Sequence, residues 1–313
     1  MSVAGRALKT FVDRGIGSRT RRENLEGWLW ASPWIIGFVI FTAGPMVASV
    51  YLSVTDYPLL QGPTFNGIDN YKQLFTDELI LQSLKVTTIY SFVSIPLHLV
   101  FGFLIALLLN QRVRGLSLWR VVYYLPAVVS GVAVAFLWQW ILNADFGLAN
   151  WLLSLIGIDG PSWLIDPNWA LSALIVMSLW GVGGGMLIYL AGLQGIPTSL
   201  YEAAEIDGAN FWQKFWIITI PMMSPVLFFL LVIGIIGALQ TFTQAYIITN
   251  GGPDDATLFF MLHLYRNAFQ YLKMGYAAAM AWLLFAYIMI LTLLVFRSSS
   301  LWVYYEGDFK GRG

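Results

Sequence analysis

Six long stretches of this chain contain no charged residue, and they constrain its fold more than any other feature. Each is long enough to cross the roughly 30 Å hydrocarbon core of a bilayer as a helix. Helices satisfy their own backbone hydrogen bonds in lipid, which an open sheet cannot do. Apolar residues make up 58% of the sequence and charged residues only 11%. The sequence therefore predicts an all-α membrane protein with six transmembrane helices, at Trp28–Ser53, Val86–Leu109, Val121–Leu142, Trp169–Leu193, Pro221–Ile248 and Met274–Phe296.

The distribution of Lys and Arg predicts the orientation of these helices, because cytoplasmic loops carry an excess of positive charge. Of the 17 Lys and Arg residues, thirteen lie on the side that holds both termini and the loops after the second and fourth stretches. We therefore expect both termini in the cytoplasm. The predicted divisions are a cytoplasmic segment 1–27, a first transmembrane helix 28–53, an extracytoplasmic loop 54–85, a core 86–296 with five helices and a cytoplasmic loop 194–220, and a cytoplasmic tail 297–313.

Composition also argues against several kinds of site. The formal net charge is +0, which disfavours a broad basic surface for nucleic acid. There is no cysteine, and two histidines leave too few ligands for an ordinary zinc site. No lysine follows a glycine, so the chain lacks the phosphate-binding loop G-x-x-x-x-G-K-[ST]. We therefore expect no catalytic site, no metal and no bound cofactor in this chain.

A short polar segment between the fourth and fifth stretches stands out from the apolar background. Pro197 ends the preceding helix, and Ser199 and Glu202 have the spacing of a capping box. Gly208 suits the left-handed position that ends a helix, and Asn210 begins a second capping pattern. The segment predicts a helix, a glycine hinge and another helix on the cytoplasmic face. Its main residues are Glu202, Ala203, Ala204, Asp207, Gly208 and Ala209, and Pro221 closes it.

This first cytoplasmic helix is predicted to dock on another protein. Leu200, Ala203, Ala204 and Asp207 fall on one face, and the small alanines would let that face sit deep in a groove. The alternative is a capped amphipathic connector that rests on the bilayer surface. Anionic lipid would repel its acidic residues, which favours the docking interpretation.

The same residues resemble the EAA loop of bacterial binding-protein-dependent ABC importer permeases. The resemblance lies in Glu202-Ala203-Ala204, Asp207-Gly208-Ala209 and Ile220-Pro221, where the family usually has Leu in place of Ile220. It extends over about residues 25–307. Further motifs resemble the carbohydrate group of these permeases: Pro33-Trp34, Gly44-Pro45, Gly67-Ile68-Asp69-Asn70-Tyr71, Ile196-Pro197, Thr249-Asn250-Gly251-Gly252-Pro253 and Tyr304-Tyr305-Glu306-Gly307.

The resemblance implies a type I ABC importer permease, a multi-pass protein of the bacterial plasma (inner) membrane, similar to maltose-, glycerol-phosphate- and trehalose-type permeases. Such a permease pairs with a second, usually non-identical permease. Two cytoplasmic ATP-binding subunits, which use ATP and Mg, dock on the EAA helices. An extracytoplasmic solute-binding protein delivers the substrate, here expected to be a mono- or oligosaccharide or a related polyol phosphate. The chain itself would have no ATPase site.

A sugar path needs hydrogen-bonding groups and flat rings at depth in the membrane. Gln240, Thr243 and Gln244 fall at i, i+3 and i+4, so they predict one polar stripe on the fifth helix. The alternative for this stripe is hydrogen bonding between helices. Gly181 and Gly185 have the spacing of close helix packing or a hinge. The other candidates for substrate contact, for which packing is the alternative, are Trp138, Gln139, Trp180, Tyr246 and Asn250.

Two other functions fit part of the sequence. One is a secondary transporter that works alone, and the other is a membrane scaffold that recruits cytoplasmic proteins. A proton-driven transporter would normally place Asp or Glu inside its spans, and the six stretches contain none. His98 is interpreted as a packing residue near the kink at Pro96. The sequence therefore favours the ABC importer.

Overall fold

The computed structural model describes residues 23–111 and 114–304. The predicted cytoplasmic Arg cluster of the N-terminal segment, Arg112 and the tail from residue 305 onward lie outside these ranges. Within them, five helices are long and apolar enough to cross a membrane, and a bent pair of helices gives a sixth span. In chain order the elements are α1 Glu23–Ser53, β1 Thr55–Asp56, β2 Thr64–Phe65, α2 Asp69–Thr76, α3 Glu78–Leu109, α4 Leu116–Val128, α5 Gly131–Ile141, α6 Leu148–Ser154, α7 Pro167–Gly195, α8 Thr198–Ile206, α9 Phe211–Leu239, α10 Phe260–Tyr265 and α11 Met274–Trp302.

The third span is broken, so the prediction of one uninterrupted helix over Val121–Leu142 is wrong. The axes of α4 and α5 differ by 96°. Pro126 inside α4 has no N–H to give to the helix, and Val129 and Ser130 are extended, with ψ of 138° and 132°. The two halves also pack on different neighbours: α4 on the middle of α7, and α5 on the segment Ala245–Thr249. Hydropathy does not reveal this break because the residues on both sides of it are apolar.

The fifth span also differs from the sequence prediction. Helix α9 ends at Leu239, well before the predicted Ile248. Gln240 has φ −103° and ψ 17°, and the next two residues are not helical. A short π-helical segment, Ala245–Thr249, then runs to Asn250, whose backbone is left-handed with φ 44°. The C-terminal part of this span is therefore an irregular segment that is partly buried against protein.

Helix α3 lies at the centre of the bundle, between α7 and α9. One buried apolar cluster surrounds its N-terminal half and includes Tyr90, Leu174 and Phe259. A second surrounds its C-terminal half, where Phe103 and Tyr189 pack together. A Cβ atom at Gly102 would lie 2.8 Å from the Tyr189 ring, so this glycine permits the close approach of α3 and α7. Most other apolar side chains of the spans point outward, as expected where the solvent is lipid.

A cluster of polar side chains joins the N-terminal ends of α3 and α11 to α10. The Tyr276 hydroxyl donates to Asp77 Oδ2 at 2.8 Å, and His263 Nε2 lies 3.5 Å from the same oxygen. Burial alone would raise the pKa of Asp77, but hydrogen bonds from Tyr276 and the Leu79 N–H, with the charge of His263, lower it. Burial lowers the pKa of His263, and Asp77 opposes this only in part. Both groups therefore lose their protons more readily in the folded protein than in the unfolded chain, Asp77 to become ionised and His263 to become neutral.

Candidate coupling loop and central cavity

The polar segment predicted from the sequence forms α8 and the first turn of α9. Helix α8 begins at Thr198, directly after Pro197, and no side chain caps it. The predicted capping box of Ser199 and Glu202 is therefore wrong. The reason is local: Pro197 has a helical φ of −58° and an extended ψ of 128°, so it serves as the N-cap and Ser199 is already inside the helix.

The other end of α8 follows the prediction. Gly208 has φ +76°, the left-handed conformation that a residue with a side chain rarely adopts. The Ala209 N–H donates to the Ala204 carbonyl at 2.8 Å, and the Gly208 N–H donates to the Glu205 carbonyl at 3.0 Å. These two bonds form a Schellman motif, which satisfies the last carbonyls of α8 and reverses the chain. The predicted glycine hinge is thus a defined turn.

The second helix of the segment starts with the predicted cap. The Asn210 side chain accepts from the Gln213 N–H at 2.9 Å, while Gln213 Oε1 accepts from the Asn210 N–H at 2.7 Å. Lys214 then reaches back to Glu205 of α8, with Nζ 2.8 Å from Oε1. The hydrogen bond and the positive charge of Lys214 lower the pKa of Glu205. The two arms of the loop are therefore held together across the Gly208 turn.

The surface of this loop is partly apolar, which the sequence prediction missed. Ile206 at the end of α8 is 87% exposed, and Phe211 at the start of α9 is 68% exposed. Ala203 and Asp207, on the predicted docking face, are also exposed, whereas Tyr201 turns inward. Apolar side chains rimmed by polar residues are typical of protein interaction sites. The missed signal was a pair of large apolar residues flanking Asp207-Gly208-Ala209.

A cavity of about 350 Å³ lies between α3, α7 and α9. This volume falls within the range of small-molecule sites. The lining includes small residues of α7 and α9 that leave the space open. Its polar groups are the side chains of Tyr90, Ser94, His98, Ser178, Tyr189, Thr241 and Gln244. Apart from Gln244, none of these residues was predicted from the sequence as a substrate contact, because isolated Ser, Thr and Tyr residues are common where helices hydrogen-bond in membranes.

His98 joins two walls of this cavity. Its Nδ1 lies 2.8 Å from the Ser94 carbonyl oxygen on α3, and its Nε2 lies 3.0 Å from the Ser178 carbonyl oxygen on α7. Ser178 immediately precedes the 3₁₀ segment Leu179–Gly185 in the middle of α7. These contacts fit the predicted packing role, and they also place the ring on the cavity wall. A neutral ring can donate at one nitrogen only.

The prediction of one polar stripe formed by Gln240, Thr243 and Gln244 is wrong. Because α9 ends at Leu239, the spacing of i, i+3 and i+4 no longer places these side chains on one helix face. Gln244 lines the central cavity. Gln240 lines a different, mostly apolar groove between α9 and α11. Thr243 packs against the first residue of α5: a Cβ atom at Gly131 would be 3.9 Å from the Thr243 methyl group.

The other candidates for substrate contact lie outside the lining of the central cavity. Trp138 and Trp180 meet edge to face, with ring centroids 6.1 Å apart, and Trp180 lies beside the bend between α4 and α5. Trp138 Nε1 is buried without a hydrogen-bond partner among the described residues. Gln139 is exposed on α5. Tyr246 stacks on Phe242 at 5.3 Å between ring centroids.

The glycine-rich segment of α7 packs closely, as predicted. Of the two predicted residues, Gly185 lies where an added Cβ atom would contact Leu230 of α9, but the tightest approach is at Gly183. A Cβ atom at Gly183 would overlap the carbonyl oxygen of Tyr123 on α4, whereas one at Gly181 would meet nothing within 4 Å. Because Leu179–Gly185 is a 3₁₀ helix, the four-residue spacing of an α-helix does not apply there.

Asn250, another predicted substrate contact, follows the π-helical segment Ala245–Thr249. Its backbone oxygen accepts a hydrogen bond from Arg266 at 2.5 Å.

Comparison with known proteins agrees with this architecture. Residues 98–304 match the family model described as the binding-protein-dependent transport system inner membrane component. The chain is 47% identical over 291 residues to the probable ABC transporter permease protein YesP of Bacillus subtilis, covering 91% of this chain and 94% of the relative. It is 33% identical over 288 residues to the trehalose/maltose transport system permease protein MalF of Thermococcus litoralis, covering 91% and 96%.

A solved structure has the same fold. The bacterial alginate ABC transporter in complex with an alginate pentasaccharide-bound periplasmic protein contains a chain that matches with a TM-score of 0.79 and 26% identity. The match covers 90% of this chain and 96% of that chain. The fold and the loop thus define a permease, the multi-pass transmembrane subunit of an ABC importer, whose ATP is hydrolysed by separate subunits. The chain belongs to the binding-protein-dependent transport system inner membrane component family.

Proposed function

We propose that this chain forms one half of the translocation path of an ATP-driven sugar importer in the bacterial inner membrane. Its partners are a second, non-identical permease, two ATP-binding subunits that use ATP and Mg, and an extracytoplasmic solute-binding protein. The central observation is the loop between α7 and α9, whose short helix is closed by Gly208 and tied to a helix that lines the cavity. The trehalose/maltose permease and the alginate transporter among the related proteins support a carbohydrate substrate.

The coupling surface in this proposal is the exposed side of α8 and the turn after it. An ATP-binding subunit would contact the acidic and small residues together with Ile206, which is 87% exposed. The Schellman turn fixes the end of α8, and the Asn210 cap fixes the start of α9. Because no flexible loop separates the two helices, a displacement of α8 also displaces α9. Movement of α9 then opens the cavity to alternate sides of the membrane.

The cavity lining favours a neutral substrate. Its polar groups are hydroxyls, one amide and one imidazole, and no Lys, Arg, Asp or Glu is among the described residues that line it. Hydroxyl and amide groups exchange hydrogen bonds with sugar hydroxyls. A phosphate would need cations or a helix N-terminus. A mono- or oligosaccharide is therefore favoured over a polyol phosphate, and Trp138, Gln139, Trp180, Tyr246 and Asn250 remain predicted contacts elsewhere on the path.

The function is tested by reconstituting the complex purified through a tag on this chain into liposomes, with the solute-binding protein added outside. Uptake of radiolabelled maltose, trehalose, lactose and glycerol 3-phosphate is measured with and without enclosed ATP and Mg. We expect ATP-dependent uptake of at least one of the neutral sugars. Solute uptake by this chain alone, driven by an ion gradient without ATP-binding subunits, would contradict the proposal.

Two matched variants test the path. Gln244→Leu removes an amide from the central cavity, whereas Gln240→Leu removes one from the groove between α9 and α11. We expect Gln244→Leu to lower uptake several-fold, with complex assembly unchanged, because the sugar loses a hydrogen-bond partner. Gln240→Leu should have a smaller effect. Unchanged uptake kinetics in Gln244→Leu would place the path outside this cavity.

A further inference from the structure

A hydrogen bond between two side chains joins α8 to α9 beneath the exposed loop. The Tyr201 hydroxyl lies 2.9 Å from Thr219 Oγ1. Tyr201 is half-buried on the inward face of α8, and Thr219 is buried, with 6% of its surface exposed. The bond therefore lies on the side of α8 that faces the bundle, opposite the surface proposed to meet the ATP-binding subunit.

Thr219 occupies a special position in α9. It is the last residue of the π-helical turn Phe215–Thr219, which follows directly on the capped start of the helix. A π turn widens the helix by one residue and is frequent at functional sites. Thr219 Oγ1 lies 3.4 Å from the Lys214 carbonyl oxygen, the acceptor within reach of its proton. When the Thr219 hydroxyl donates to the Lys214 carbonyl oxygen, its Oγ1 accepts a hydrogen bond from the Tyr201 hydroxyl, so one hydroxyl connects α8 to the distorted turn.

The same turn is packed into the core. Phe215 lies against Phe103 of α3, with ring centroids 6.1 Å apart. Tyr201, Phe215 and Ile218 all contact the second apolar cluster, which contains Phe103 and Tyr189. The other side-chain link between the two arms, the Lys214–Glu205 ion pair, has a Glu205 side chain that is 64% exposed. Water and salt screen that pair, so it holds the arms together less firmly than a shielded bond between shorter side chains.

We propose that Tyr201 and Thr219 are positioning residues for coupling. Their bond keeps α8 at a fixed distance from the π turn, so that displacement of α8 moves the inner end of α9 and the π turn acts as the joint. The inference rests on the proposed function, because it takes α8 as the helix that receives the ATP-driven movement. Without the bond, α8 slides on the core, and ATP is hydrolysed without a matching movement of α9.

The test uses Tyr201→Phe and Thr219→Val, which remove one hydroxyl each and keep nearly the same shape. Thr219→Ser retains the hydroxyl and should rescue the function. Tyr287→Phe is the matched control, since its hydroxyl bonds Thr88 at 2.9 Å between α11 and α3, away from the loop. Each variant complex is reconstituted with the wild-type partners, and uptake of the sugar that the wild type transports is measured together with ATP hydrolysis.

We expect Tyr201→Phe and Thr219→Val to raise the ATP hydrolysed per sugar transported several-fold, with assembly unchanged. The double variant should be no worse than either single one, because both remove the same bond. Ratios equal to those of wild type and Tyr287→Phe would overturn the inference while leaving the importer function intact. A wild-type complex that transports no sugar would instead overturn the function itself.

Discussion

Substitution of Gly208 tests the coupling loop most directly. Its φ of +76° is left-handed, yet a Cβ atom added there would meet nothing within 4 Å. The free-energy cost of adding a side chain therefore comes from the backbone conformation alone, because the side chain would collide with no neighbour. Gly208→Val adds a β-branched side chain, which tolerates this conformation worst, while Gly208→Asn adds one that tolerates it well.

The size of the penalty decides the outcome. A side chain in the left-handed region costs about 1–2 kcal/mol, which corresponds to a factor of about 5–30 in population. The Tyr201–Thr219 hydrogen bond, which helps to hold α8 in place, contributes about 1 kcal/mol net. Because the strain is at least as large as this link, it shifts the balance away from the Schellman turn by the same factor. Helix α8 then leaves its position more often than in the wild type.

The assay measures sugar uptake and ATP hydrolysis by reconstituted complexes. We expect Gly208→Val to reduce uptake, by at most about 5–30-fold, either with ATP hydrolysis retained or with the ATP-binding subunit released. Gly208→Asn should stay close to wild type. Gly195→Ala, on the other side of α8, is the matched control, since its Cβ also meets nothing and it ends a regular helix. Normal uptake by Gly208→Val would refute the reasoning.

Two further predictions concern stability. Gly183→Ala should lower the melting temperature, because the added Cβ would overlap the Tyr123 carbonyl oxygen and overpacking costs about 1–3 kcal/mol. Gly181→Ala should leave the melting temperature unchanged, because the added Cβ would meet nothing within 4 Å. The pKa values of Asp77 and His263 are both lowered in the folded state, so the protein binds protons more weakly there than when unfolded. The free energy of unfolding should have its full value above pH 6.5, the ordinary pKa of His. On acidification it should fall first as the unfolded chain binds a proton at His263, and then, near pH 3.8 and below, as it binds one at Asp77. His263→Gln should flatten the first part of a melting-temperature-against-pH curve, and an unchanged curve would contradict this assignment.

The sequence predicted those features that depend on short segments. The membrane spans were readable because lipid selects for uncharged stretches of a fixed minimum length. The turn at Gly208 and the cap at Asn210 were readable because each rests on a few adjacent residues. The same local rules failed at Ser199, because the helix is capped by Pro197, two residues before the predicted cap.

The class of protein, the approximate positions of its spans and the outline of the candidate coupling loop could therefore be predicted from local sequence. The folded chain was needed to show that the third span bends by 96°, that α9 stops at Leu239, and that Gln244 and Gln240 face different spaces. The physical reason is that uniformly apolar segments give no period or charge to mark a break. Where such a helix ends depends on neighbours distant in sequence, and those neighbours also enclose the cavity.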